Sequence, residues 1–243
     1  MTVLLLGLAS MAPAADHRNL DSGVPLTIED AYTVKFREPA IHGVFAWRRL
    51  SGRVNLLEAA PEIEYGFARD WQLNLGTRLW NRSRGTNQGS GNVGLGLMHN
   101  FNAESLRLPA VALKAQVELP TGAGASASAL TLKGILTKTL GFHRLHLNAS
   151  HTASRTREPD ERRHRWQGVA GWDRPLGLQS LLIADLVVRQ PEKRPGNAVV
   201  DFELGLRRQM TPRMVISFGA GWGLSTRRNR DPFFFSMALT QSI

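Results

Sequence analysis

The chain has 243 residues, room for one large domain, with 42% hydrophobic residues, a formal net charge of +10 and no cysteine. The lack of cysteine excludes disulfides, thiolate metal sites, thiol catalysis and a lipidated N-terminal cysteine. No internal run approaches the 18 or more apolar residues of a membrane helix, so a bilayer can be crossed only with strands.

Residues 1–14 read as a signal peptide. Thr2 to Ala9 form a short apolar core, and Ala12-Pro13-Ala14 is a small-residue cleavage site, although no Lys or Arg precedes the core. Residues 15–39 are polar and lack alternation, which suggests an N-terminal periplasmic stretch. From residue 40 to 243 the pattern changes to segments of about ten residues with period-two hydrophobicity, closed by turn residues. In Trp71-Gln72-Leu73-Asn74-Leu75-Gly76-Thr77-Arg78-Leu79 one parity is greasy and the other wet. Such segments are predicted at 40–50, 53–66, 70–81, 91–102, 107–119, 129–141, 143–154, 164–174, 179–190, 197–209, 212–225 and 232–243. The predicted fold is therefore all-β, an antiparallel up-and-down transmembrane β-barrel of about twelve strands.

The connections alternate between two classes. Phe67-Ala68-Arg69-Asp70, Asn102-Ala103-Glu104-Ser105, Gly141-Phe142, Arg174-Pro175-Leu176-Gly177 and Gln209-Met210-Thr211-Pro212 are tight. The stretches 81–90, 120–128, 154–163, 190–196 and 226–232 are long and polar. Short turns at one rim and long loops at the other are the habit of membrane barrels. Aromatics near strand ends (Trp71, Phe101, Trp166, Trp172, Trp222, Phe233) fit interfacial girdles. The last segment keeps one apolar parity through Phe233, Phe235, Met237, Leu239 and Ile243, the kind of closing strand that barrel-assembly machinery reads.

Several stretches carry a family resemblance: Pro25-Leu26-Thr27-Ile28-Glu29-Asp30-Ala31, Pro61-Glu62-Ile63-Glu64-Tyr65-Gly66-Phe67-Ala68-Arg69-Asp70, Gly91-Asn92-Val93-Gly94-Leu95-Gly96-Leu97 and Leu119-Pro120-Thr121-Gly122. With these motifs the chain resembles the outer-membrane transporter family of the meta-cleavage (MetA) pathway of phenol degradation, over about residues 24 to 150. The resemblance implies an outer-membrane barrel associated with uptake of aromatic compounds. It brings no catalytic residues.

The wet parity supplies the candidate lumen lining: Glu58, Glu62 and Glu64, with Arg78 on the next strand, Lys114, Gln116 and Glu118, Arg144 and His146, and Asp201, Glu203 and Arg207. Mixed charge there can brace the barrel by cross-strand pairing, line a selective pore, or do both. The excess positive charge falls on the long loops, expected to be extracellular: Arg82, Arg84, Arg155, Arg157, Arg162, Arg163, Lys193, Arg194, Arg227, Arg228 and Arg230. It suits lipopolysaccharide phosphates or a funnel for anionic solutes.

The primary reading is a channel for passive passage of small aromatic or amphipathic solutes, anionic ones included, in the outer membrane of a Gram-negative bacterium. The alternative is a structural or surface-interaction barrel whose basic loops bind lipopolysaccharide. A membrane-embedded hydrolase is disfavoured because adjacent Ser150 and His151 point to opposite faces of a strand. The chain is thus not expected to be an enzyme, and no cofactor is expected. No metal site is expected either. His143 and His146 lie on opposite faces, and only Ala15-Asp16-His17, were the leader cut after Ala14, offers a square-planar Cu(II) motif. The expected partners are outer-membrane lipid and lipopolysaccharide, a small-molecule solute and the assembly machinery. Nucleic acid is excluded by the lack of aromatics among the basic residues.

Overall fold

The computed structural model describes residues 15–50, 54–82, 88–122, 127–155, 159–224 and 233–243. The expected signal peptide, residues 1–14, lies outside them. Twelve strands run β1 (Pro39–Leu50), β2 (Val54–Ala68), β3 (Trp71–Arg82), β4 (Gln88–Asn102), β5 (Ala110–Leu119), β6 (Ala129–Leu140), β7 (His143–Ser154), β8 (His164–Pro175), β9 (Ser180–Arg189), β10 (Val199–Thr211), β11 (Met214–Gly223) and β12 (Phe233–Ser242). Each pairs antiparallel with its chain neighbours, and β12 closes on β1 from Ala40↔Ser242 to Arg49↔Phe233. Closure leaves no sheet edge, which a strand protein in lipid requires because unpaired backbone groups have no water to bond.

Most predicted boundaries fall within two or three residues of the observed ones. β5 starts at Ala110 rather than at 107, because Ser105 and Leu108 close a turn: Ser105 N–H donates to the Leu108 carbonyl at 3.0 Å, and Leu108 N–H donates to Ser105 Oγ at 3.0 Å. β4 starts earlier than predicted, since Gly89 and Ser90 already pair with Trp80 and Leu79. Bulges at Tyr65/Ala68, Thr77/Leu79, Asn100/Asn102 and Gln209/Thr211 shift the register locally. In the two-residue β6–β7 turn Gly141 takes φ +63°, a left-handed conformation that glycine adopts without steric cost.

The outward parity is apolar all round the barrel. Along β12 Phe233, Phe235, Met237 and Leu239 are exposed while Phe234, Ser236, Ala238 and Thr240 are buried. Leu113, Leu132, Leu147, Leu204 and Phe218 continue the belt on other strands. A continuous apolar surface of this extent is a liability in water and the natural contact of lipid tails. Aromatic groups cluster at both rims. At the tight-turn rim Trp71 stacks on His99 at 4.2 Å and His143 on Trp172 at 5.7 Å. At the long-loop rim Trp47 meets Phe233 at 6.0 Å and Phe202 meets Trp222 at 5.1 Å.

Of residues 15–39, expected as a periplasmic stretch, Pro39 opens β1, residues 35–37 are exposed at the rim, and most of the rest lies inside the barrel. They start beside β10, where His17 N–H donates to Gln209 Oε1 at 3.1 Å, rise into the lumen, and return to β2, where Phe36 bridges to Gly66. Two apolar clusters seat them. Leu20, Leu26 and Ile28 pack on Val169, Leu181, Ile183 and Val187, and Ala31 packs with Met98, Ala110, Ala112 and Ile135.

Candidate channel lumen

The segment keeps some backbone hydrogen bonds to itself, such as Asp30 N–H to the Leu20 carbonyl at 3.0 Å, and side chains of the wall must take the rest. Here they do so in order round the circumference. Thr27 N–H donates to Glu203 Oε2 at 2.8 Å, Ile28 N–H to Asp185 Oδ2 at 2.9 Å, and Glu29 N–H to Asn148 Oδ1 at 2.9 Å. Ala31 N–H donates to Thr137 Oγ1 at 3.0 Å and Val34 N–H to Gln72 Oε1 at 2.8 Å. The wall donates in return. Ser236 Oγ reaches the Pro25 carbonyl at 2.9 Å, Arg207 Nη1 the Val24 carbonyl at 2.8 Å, and Asn148 Nδ2 the Glu29 carbonyl at 2.8 Å.

Charge fixes the segment more firmly. Glu29 lies between two ammonium groups, Oε1 at 2.6 Å from Lys114 Nζ and Oε2 at 2.7 Å from Lys133 Nζ. Arg144 joins Asp30 at 3.3 Å to Asp173 at 2.9 Å and also donates to the Arg18 carbonyl, while His146 Nε2 lies 2.7 Å from Asp173 Oδ2. Lys133 is half-buried and the other charged groups are buried, and each cation has an anion within reach, which buried charge demands. Space is made by small residues. A Cβ added at Gly171 would fall 2.5 Å from Ile28 Cγ1, so only glycine admits the segment there unmoved. At the tight-turn rim Glu104 anchors Tyr32, accepting its hydroxyl at 3.2 Å along with Thr139 N–H at 2.6 Å and Thr139 Oγ1 at 2.8 Å. Burial pushes the Glu104 carboxyl up, but these donors together with Lys138 outweigh it and hold the group below its ordinary value.

The segment divides the lumen. An upper cavity of about 300 Å³ opens toward the long loops and is lined by Arg48, Glu58, Glu62, Arg78, Gln116 and Glu118, among others. A lower cavity of about 370 Å³ is lined by Arg18, Asp30, Tyr32, Thr139, Arg144 and Arg207, among others. The two share no lining residue. Between them Asp21, from the segment, faces His42 of β1 and Glu64 of β2: Asp21 and His42 line the lower cavity, and the adjoining Ser22 and Glu62 line the upper. Asn74 Nδ2 braces this partition from β3, donating to Glu62 Oε1 at 2.7 Å and Glu64 Oε1 at 2.6 Å.

The twelve residues read from the sequence as lumen lining all point inward, but they divide by role. Glu58, Glu62, Arg78, Gln116 and Glu118 face the upper cavity. Glu64, Lys114, Arg144, His146, Asp201, Glu203 and Arg207 are buried in side-chain networks, many of them holding the segment. Arg207 is fully buried, and its Nε and Nη2 have no hydrogen-bond partner among the described residues. Of the basic loop residues, Arg155, Arg162, Arg163, Lys193 and Arg194 are described. Arg84, Arg157, Arg227, Arg228, Arg230 and the side chain of Arg82 fall outside the described residues. The loops after β7 and β9 are tied together: Arg194 N–H donates to the Asp160 carbonyl at 2.7 Å, Lys193 lies 3.6 Å from Asp160, and Arg162 Nη2 donates to the Gly196 carbonyl at 2.9 Å. Ser150 and His151 lie on opposite faces, with His151 outside and stacked on His164 at 5.4 Å.

Sequence reasoning passed over His42, Asp21, Asp30, Thr137, Asp173 and Asp185, while Asn148 lies on the inward parity it assigned to the seventh strand. One signal could have found the segment's seat. In Leu181-Leu182-Ile183-Ala184-Asp185-Leu186-Val187-Val188 both parities are apolar but for Asp185, so the inner face there needs an apolar cover.

No known family and no curated protein matches the chain in sequence. Solved structures match in fold. The COG4313 outer membrane channel from Pseudomonas putida F1 superposes with a TM-score of 0.69 at 11% identity, covering 93% of this chain and all of that one. The NanC porin gives 0.61 at 10% identity over 84% of this chain and 98% of its own. The CymD monoaromatic hydrocarbon channel gives 0.52 at 7% identity over 86% and 89%. The chain has the fold of outer-membrane barrels.

Proposed function

We propose that this chain is an outer-membrane channel of a Gram-negative bacterium for passive passage of small aromatic or amphipathic solutes, with residues 15–38 as its occluding element. The observation that carries the reading is the divided lumen, with two cavities of about 300 and 370 Å³ that share no lining residue. Each is of a size that holds a small ligand. Passage needs the segment to shift rather than the barrel to deform. The fold shared with a monoaromatic hydrocarbon channel and the resemblance to the MetA-pathway transporters both favour an aromatic cargo. The upper cavity carries Arg48 and Arg78 against Glu58, Glu62 and Glu118, so any preference for anions must come from the basic loops. Flux into protein-loaded liposomes tests the reading. Benzoate should enter faster than a neutral sugar of similar size, and influx equal to that of protein-free liposomes refutes it.

A second reading has one observation in its favour. The loops after β7 and β9 are cross-tied above a divided lumen, as suits a structural barrel whose basic loops contact lipopolysaccharide. It predicts no solute flux, and weaker lipopolysaccharide binding when Arg227 and Arg228 are reversed in charge.

A further inference from the structure

At the partition between the two cavities three potential ligand atoms converge: Asp21 Oδ2, His42 Nε2 and Glu64 Oε2. They lie within 4.8 Å of one another. Nε2 is 2.9 Å from Glu64 Oε2 and 3.8 Å from Asp21 Oδ2. All three residues are more than nine-tenths buried. A tetrahedral ion with ligands at ~2.0–2.1 Å separates them by about 3.3 Å, a value the two measured distances bracket.

The surroundings orient each donor. His42 Nδ1 lies 2.9 Å from Thr240 Oγ1, which can accept an Nδ1 proton, and in that tautomer the Nε2 lone pair faces the carboxylates. Asn74 Nδ2 occupies Glu64 Oε1, which turns Oε2 toward His42. Asp21 Oδ2 accepts no hydrogen bond from the described residues, its other oxygen taking only a long contact from Asn19 at 3.5 Å. A lone pair 2.9 Å from a carboxylate oxygen needs a cation between them. A proton between His42 and Glu64 satisfies that pair and leaves Asp21 Oδ2 3.8 Å from Nε2, facing the lower cavity, whereas a divalent ion draws all three together. Asp21 and His42 line the lower cavity, which gives an ion a way in.

We propose that Asp21, His42 and Glu64 form a site for a divalent cation of the zinc type, and that the bound ion pins the N-terminal segment to the barrel wall. The site joins the segment to β1 and β2, so an ion there stabilises the seated arrangement. Its relevance to transport rests on the channel reading, while its existence does not. On binding, the proton shared by His42 and Glu64 leaves for solvent.

The test uses the full chain in detergent, stripped with a chelator and titrated with Zn²⁺ alone. Calorimetry should show one saturable site per barrel. Asp21→Asn, which alters only the segment, and His42→Ala should each weaken it by at least the ~10–100-fold that loss of an outer-shell partner costs. His17→Ala, which removes the histidine of the segment itself, should leave it unchanged. Heat-modifiable gel migration shows which variants are folded barrels. Zn²⁺ should also slow maleimide labelling of a cysteine introduced at Ala31, and should do so less in Asp21→Asn. Absence of saturable binding, binding unaffected by Asp21→Asn in a folded barrel, or binding without slower labelling overturns the proposal. No readout requires the barrel to conduct, so failure of the channel reading is a separate result.

Discussion

Replacing Glu29 by alanine should unseat the N-terminal segment while leaving the barrel closed. The carboxylate neutralises two ammonium groups at once, at 2.6 and 2.7 Å, and Lys114 is only 5% exposed. Removing one partner of a buried pair costs about 3–5 kcal/mol, mainly because the other charge is left buried. Glu62 and Glu64 lie near enough to Lys114 to offset part of that, so the lower end, about 3 kcal/mol, applies. At roughly 1.4 kcal/mol per tenfold, the unseated fraction rises by about 100-fold. The absence of native cysteine makes the assay clean. Ala31 is fully buried, so a thiol placed there reacts with a maleimide only when the segment leaves its seat. The labelling rate of Ala31→Cys/Glu29→Ala should exceed that of Ala31→Cys by about two orders of magnitude, again from the energy of the broken pair. Rates within about twofold of each other would refute the argument that this ion triplet holds the segment.

Other outcomes follow from the same structure. Met237→Arg, at the middle of the outward face of β12, should cost about 2–4 kcal/mol of folding stability in vesicles, read from urea titration. An unchanged midpoint would mean that lipid does not cover that face. Glu104, whose carboxyl is held below its ordinary value, stabilises the fold above the unfolded-state value of about 4.5, and that contribution is lost as pH falls through the lowered value. Wild type should therefore lose stability more steeply than Glu104→Gln on acidification below about pH 4.5, and parallel curves would contradict the assignment.

The strands were legible because one solvent meets their outer face throughout. Leu57, Ile63 and Tyr65 on β2, or Leu145 and Leu147 on β7, alternate without a break because each outward side chain has the same environment. Boundaries slipped where apolar residues serve turns, as Leu106 and Leu108 do before β5, or where glycines hide the parity, as Gly89 and Gly91 do in β4. The segment inside the lumen was not legible as such. Its backbone turns at residues 21–24 and bonds partly to itself and partly to side chains of the wall, so it carries neither the alternation of a strand nor the period of a helix. Leu20, Leu26 and Ile28 are apolar because Val169, Ile183 and Val187 face them across the lumen, a match visible only once the barrel is closed. The partition at Asp21, His42 and Glu64 was hidden for a similar reason, since its members stand about twenty positions apart along the chain and meet only through the segment's return into the barrel.

The occupancy of the lumen by residues 15–38 is tested most directly by a disulfide across it. A Cβ built at Gly171 lies 3.3 Å from Ile28 Cβ, just below the ~3.5–4.5 Å at which disulfides form, a gap that a small shift of the segment closes. The variant Ile28→Cys/Gly171→Cys should cross-link in the folded barrel, giving a closed loop that protease mapping detects. Oxidised barrels in planar bilayers should conduct less than the same barrels after reduction. Failure of the two thiols to cross-link in a folded barrel, or conductance indifferent to their oxidation, would contradict the account.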